Sequence, residues 1–187
     1  ELGHGAIALT DRNSLAGVVR AHLAAKEAGI RLVVGARLDF TDAPSVLCLP
    51  EDRAAYGRLS KLITLGRRRA PKGECAIARG DLFDHGDGQR VIALPPAQKN
   101  PDAIFAAHLE ALAHRFPTRS YLAAHHLYRG DDAYRLRRLA AVAEKTGTPL
   151  VAANDVLFHL PERRDVHDVL TAIREHCTVD EAGRRLV

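Results

Sequence analysis

The chain has no methionine, no tryptophan and only three cysteines, and aromatics make up 5% of its 187 residues. Each shortage excludes something. Cys48, Cys75 and Cys177 lie far apart with no CxxC pair. That leaves no disulfide framework and no zinc knuckle, and it fits a reducing compartment, with the cytoplasm as the expected location. Cys48 falls in an apolar strand and reads as core. No apolar run approaches the roughly 20 residues of a membrane-spanning helix, so no membrane partner is expected. Glu1-Leu2-Gly3-His4 has neither the basic start nor the apolar core of a secretory leader. With no initiator and a strand almost at once, the chain is expected to be a piece of something longer. The phosphate-cradling patterns GxxxxGKS and GxGxxG are absent, and Gly86-Asp87-Gly88 is only a turn. HxH and HExxH are absent too, and no serine sits in a nucleophile elbow. A zinc peptidase and a Ser-His-Asp hydrolase therefore have no support.

What is present is ordinary for a globular domain: 47% hydrophobic and 27% charged residues. Lys+Arg 27 against Asp+Glu 23 gives +4 and a pI near 9.2. Arg67, Arg68 and Arg69 read as a Gly- and Pro-flanked basic loop, and Arg135, Arg137 and Arg138 ride one helix. A solvated face is the plain reading of both; contact with DNA through Arg67, Arg68 and Arg69 is the sharper one.

Periodicity places strands at 6–10, 31–39, 45–49, 89–93, 121–124 and 150–153. Helices alternate with them. The first covers 15–28, capped by Asn13 or Ser14 and ended by Gly29. The second opens at Pro50-Glu51-Asp52, with Tyr56, Leu59, Leu62, Ile63 and Leu65 as its apolar face. A short turn at 81–84 precedes a helix capped by Asn100, with Pro101 at its first position and its end near Arg115. Another runs from Asp131 to Lys145 before Gly147. The last starts at Pro161 with Val166, Val169, Leu170 and Ile173 on one apolar stripe. Thr178-Val179-Asp180-Glu181 is a capping-box pattern. The alternation means an α/β fold with a mostly parallel sheet and one hairpin. A barrel and an open doubly wound sheet both fit.

Asp11 and Asp155 follow strands, where α/β proteins place ligands. Leu150-Val151-Ala152-Ala153 ahead of Asp155 reads as a strand buried on both faces. Asp11, His125, His126, Asp155 and His159 are the candidate metal ligands. The bland reading is a helix cap for Asp11 and loop positions for the histidines.

Three stretches carry a resemblance: ALTDRNSLAGVVRAHLAAKEAGIRLVVGARLDF (8–40), AAYGRLSKLITLGRRRAPKGEC (54–75) and VAANDVLFHLPERRDVHDVLTAIREHCTVDEAGRRL (151–186). In order and spacing they resemble the PHP (polymerase and histidinol phosphatase) domain of bacterial family C DNA polymerases, and within it the error-prone, damage-induced branch. The resemblance implies a PHP-type distorted (β/α)7 barrel whose first strand lies before Glu1. It implies a partial PHP domain over 1–177 and, over 178–187, the start of the segment leading to the polymerase palm. It further implies a DNA-directed polymerase acting in translesion synthesis and DNA repair, with Mg2+ held by acids beyond Val187. The implied partners are the rest of the polymerase chain, DNA, other mutagenesis-complex proteins and the sliding clamp.

The same resemblance bears on the metal site. Active relatives read TDH where this chain has Thr10-Asp11-Arg12. They place Glu where Arg37 stands, His where Ser45 stands, and close with NDVH where this chain has Asn154-Asp155-Val156-Leu157. A family cysteine is replaced within Pro95-Pro96. Asp11 and Asp155 are remnants; Arg12, Arg37, Ser45 and Leu157 mark lost ligands. Arginine stays protonated in proteins, so two guanidiniums repel a dication. They are expected to pair with Asp11 and Asp155 instead. The expectation is a domain with no catalytic residue and no metal of its own, in a structural or interaction role. The alternative is an active metal-dependent PHP phosphoesterase or 3′-5′ exonuclease.

Overall fold

The structure, a computed structural model, describes residues 3–96, 102–127, 130–154, 156–183 and 186. The chain divides into two compact units, Glu1–Ala153 and Asn154–Val187. In the first, strands β1 (Ala6–Leu9) and β2 (Arg31–Val34) pair in parallel, joined by helix α1 (Val18–Glu27). Gly29 ends that connection at φ +64°, as its place in the sequence predicts. The start of α1 differs from expectation. Its N-cap is Gly17, with no side-chain bond. The two expected caps are committed elsewhere: the Asn13 side-chain oxygen accepts from the Asp39 amide, and Ser14 Oγ accepts from the Ala16 amide.

The expected single strand 31–39 is two strands. After β2 the chain crosses at Gly35 into a second sheet as β3 (Ala36–Leu38). A Cβ at Gly35 would lie 2.8 Å from the Cys48 carbonyl oxygen, so the crossing needs a residue without one. The second sheet has the order β3-β4-β5-β6-β7, with β4 Val46–Pro50, β5 Gln89–Ala93, β6 Ser120–Ala124 and β7 Leu150–Ala152. Both β3–β4 and β4–β5 are antiparallel; β5–β6 and β6–β7 are parallel. One antiparallel pair was expected from the sequence. The second arises because two helices, not one, join β4 to β5. The chain returns to the end it left, and Pro50 faces Gln89.

Those helices are α2 (Arg53–Arg69) and α3 (Arg79–His85). Asp52 caps α2, accepting from the Ala55 amide at 2.7 Å. Arg67, Arg68 and Arg69 form the last turn of α2 rather than a loop. Gly66 does not break the helix, because it is a packing glycine: it is buried, and a Cβ there would lie 2.8 Å from Cys75 Sγ. Three cations at a helix C-terminus also suit its dipole. Helix α4 (Ala103–Arg115) is capped by Asp102, which accepts from the Phe105 amide; Asn100 and Pro101 lie outside the described residues. Helix α5 (Asp132–Thr146) ends at left-handed Gly147 as expected.

The core lies between the second sheet and these helices. Leu38, Val46, Val91, Leu122, Leu59 and Leu109 are fully buried in it. Gln89 is buried there and satisfied, donating to the Ala55 carbonyl and accepting from Cys48 Sγ. Strand β7 departs from the reading of 150–153 as buried on both faces. It is outermost in its sheet among the described residues, and Leu150 is 39% exposed.

The second unit holds a 3-10 turn (Pro161–Arg163), α6 (Arg164–Arg174) and α7 (Val179–Ala182). Thr178 and Glu181 form the predicted capping box. The expected stripe Val166, Val169, Leu170 and Ile173 forms one face of α6, and it is exposed. A unit this small has too little chain to cover it. Among the described residues no helix is long and apolar enough to cross a membrane.

Candidate functional site

The main-chain path beyond β1 builds the site. Past its last residue, the chain stays alongside the residues that follow β2: Gly35 donates to the Leu9 carbonyl, Arg37 to Asp11, and Asn13 to Arg37. Arg12 and Arg37 are thereby paired across a parallel bridge. Two residues after Arg37, on the same side of the strand, comes Asp39. Its carboxylate takes Arg12 Nε on Oδ2 at 2.8 Å and Arg37 Nε on Oδ1 at 2.8 Å. Ser45 Oγ, from the turn into β4, donates to Oδ1 at 2.5 Å. The Asp39 amide donates to Asn13 Oδ1 at 3.0 Å. Asn13 sits at φ +46°, a left-handed conformation that asparagine tolerates better than most residues. Its carbonyl accepts two bonds from Arg67, at 2.9 and 3.2 Å, which tie the end of α2 to the cluster.

Burial works against the charged form of Asp39. The hydrogen bonds from Ser45 and Arg37 and the charges of Arg37 and Arg12 outweigh it, so the carboxyl is held below the usual carboxylate range. Arg12, Arg37 and Ser45, picked out from scattered points of the sequence, therefore converge on one acid that sequence reasoning missed. The signal was local: an Arg-x-Asp at the end of a strand puts both groups on one face.

The expected pairing of Arg12 and Arg37 with Asp11 and Asp155 is corrected on one side. Both arginines turn to Asp39, and Asp11 faces helix α1, where a Cβ on Gly17 would lie 2.7 Å from its Oδ2. Asp155 lies outside the described residues. Leu157 and His159 are exposed residues of the second unit. His125 and His126 follow β6. The His125 carbonyl accepts from buried Arg135, and His126 Nδ1 lies 3.6 Å from Asp132. Arg67 and Arg69 hold partners within the chain: Arg69 meets Asp81 at 2.7 Å. Arg68 is exposed.

The donor set around Asp39 does not fit a cluster of divalent cations. It offers two permanent cations, one hydroxyl and one carboxylate whose oxygens are both engaged. Among the described residues no three His, Cys, Asp or Glu side chains gather where they could share an ion. Sequence reasoning also missed His108 on α4. It is 1% exposed, sits against Phe40 and Phe105, and among the described residues has no hydrogen-bond partner on either ring nitrogen. Burial, with Arg79 nearby, pushes its pKa down to about 4.

A family profile described as "PHP domain" matches residues 1–115. Over 186 residues the chain is 50% identical to the error-prone DNA polymerase of Caulobacter vibrioides, covering 99% of this chain and 17% of that protein. Over 184 residues it is 46% identical to error-prone DNA polymerase 1 of Agrobacterium fabrum, covering 98% and 17%. The chain thus spans about 17% of the length of the curated relatives it matches. Among solved structures, a Bifidobacterium adolescentis protein assigned as a metal-dependent phosphoesterase shares the fold at TM-score 0.59 and 15% identity, over 81% of this chain and 77% of that one. An amidohydrolase from Chromobacterium violaceum does so at TM-score 0.53 and 16% identity, over 84% and 78%.

Proposed function

Because this chain belongs to the PHP domain family, we propose that it is the PHP module of an error-prone DNA-directed DNA polymerase, serving as a scaffold and not as a metallohydrolase. Identity near one half with two such polymerases, over almost all of this chain, supports the first half of that reading. One observation carries the second. Arg12, Arg37 and Ser45, the positions at which the family resemblance puts metal ligands, all bond to Asp39. Charges belonging to the chain fill the space that a cation would need. The same donor set opposes the phosphoesterase or 3′-5′ exonuclease alternative.

In this reading residues 1–177 are a partial PHP domain and 178–187 begin the passage to the palm; the capped start of α7 at Thr178 supports that boundary. The fold is a distorted (β/α)7 barrel lacking its first strand, which accords with the exposure of Ile7 on β1 and of Leu150 on β7. The whole protein works in the cytoplasm on DNA during translesion synthesis and repair. Paired Mg2+ ions sit on palm acids outside this chain. The sliding clamp and other mutagenesis-complex proteins are its partners. The test is elemental analysis of the intact protein after dialysis against manganese and zinc and then against metal-free buffer. We expect no tightly held ion assignable to this domain. Two or three ions per chain that survive removal of the palm acids would overturn the reading.

A further inference from the structure

The basic stretch at the end of α2 divides by contact. Arg67 is spent on the Asn13 carbonyl and Arg69 on Asp81, while Arg68 is exposed. Arg68 lines an open groove of about 650 Å³ between α2 and α3, together with Ser60, Lys61, Thr64, Arg69 and His85. No carboxylate is among the lining residues. Arg69 is paired with Asp81, whose carboxylate also accepts from the Ala78 amide, so the positive charge of the groove rests on Lys61 and Arg68. The groove is therefore a positively charged trough between α2 and α3, and among the described residues Lys61 and Arg68 have no ion pair.

We propose that this groove is a contact site for the phosphodiester backbone of DNA, carried by Lys61 and Arg68 with Arg69 and His85 on its rim. The inference rests on the polymerase reading only for which nucleic acid is present. Three features fix the ligand class. Lys61 and Arg68 are seven residues apart on one helix, roughly 10 Å along its axis. Two cations so spaced meet separate phosphates of one strand and do not chelate a single small anion. The hydroxyls of Ser60 and Thr64 donate to the Tyr56 and Ser60 carbonyls, so they add no donors and the contact is mostly ionic. Among the described lining residues there is no Phe, Tyr or Trp, and His85 sits at the rim, so the contact is to the backbone and is blind to sequence.

The test measures DNA affinity of the intact protein across salt concentrations, for the parent, K61A/R68A and R67A. Each phosphate contact contributes about 0.9 to the slope of log K against log salt on duplex DNA. We expect the double variant to lower the slope by roughly 2 and to weaken binding at low salt by at least tenfold, equally on unrelated sequences. R67A is expected to keep the parent slope, because its guanidinium serves Asn13. An unchanged slope in K61A/R68A, or an equal drop in R67A, overturns the proposal. Primer extension by the parent protein is scored separately. Its absence would refute the polymerase reading, while the slopes still decide the groove.

Discussion

Arg12 and Asp39, 27 residues apart, meet at 2.8 Å and join the end of β1 to the end of β3 across the break between two sheets. Arg37 and Ser45 close on the same carboxylate. The acid accepts from both arginines, so its removal leaves like charges facing each other in a half-buried space.

Asp39→Asn should therefore destabilise the chain by about 1–3 kcal/mol, with the share of well-solvated Arg12 the smaller. Urea unfolding reads this directly; a change below about 0.5 kcal/mol would show that the cluster is decorative. The sign with pH follows from the lowered carboxyl pKa. The stabilisation is complete above the unfolded carboxylate range and is lost as pH falls through the folded value. The gap between the parent and Asp39→Asn should narrow in acid.

His108 predicts a separate acid sensitivity at higher pH. Its folded pKa near 4 lies below the unfolded value of about 6.5. Between these values the unfolded chain binds the proton and the folded core does not. Stability should fall as pH drops from about 6.5 to about 4, by up to about 3 kcal/mol from this group. His108→Phe should flatten that limb in thermal melts at stepped pH. A parent and variant with parallel profiles would exclude His108 as the cause.

Gly35→Ala tests the crossing between sheets. The new methyl would press on the Cys48 carbonyl, which belongs to strand β4 and cannot swing aside. A loss of about 3 kcal/mol is expected, at the upper end of what overpacking costs. Gly57→Ala is the control, since nothing lies within 4 Å of the added atom and the helix should gain slightly.

Much of the fold is legible in the sequence because its signals are local. Strand β5 falls on 89–93 as read, Asp52 caps α2, Gly147 ends α5, and Thr178 with Glu181 opens α7. The failures are long-range. Gly66 looks like a helix stop until Cys75 is seen packed against it. The apolar run over 31–39 gives no hint that Gly35 hands the chain to another sheet. The site divides in the same way. Family resemblance marks Arg12, Arg37 and Ser45, but their shared partner emerges only when β1 and β3 lie side by side. His108 carries no sequence signal at all, because a histidine on the apolar side of a helix looks the same whether or not it is satisfied.

The Asp39 cross-link draws on no outside supply. A scaffold cross-linked by bound cations comes apart under a chelator or in a metal-starved cell. Here the ionic bonds joining the two sheets are made by guanidinium and carboxylate groups synthesised with the chain itself. The cross-link is complete as soon as the polypeptide folds.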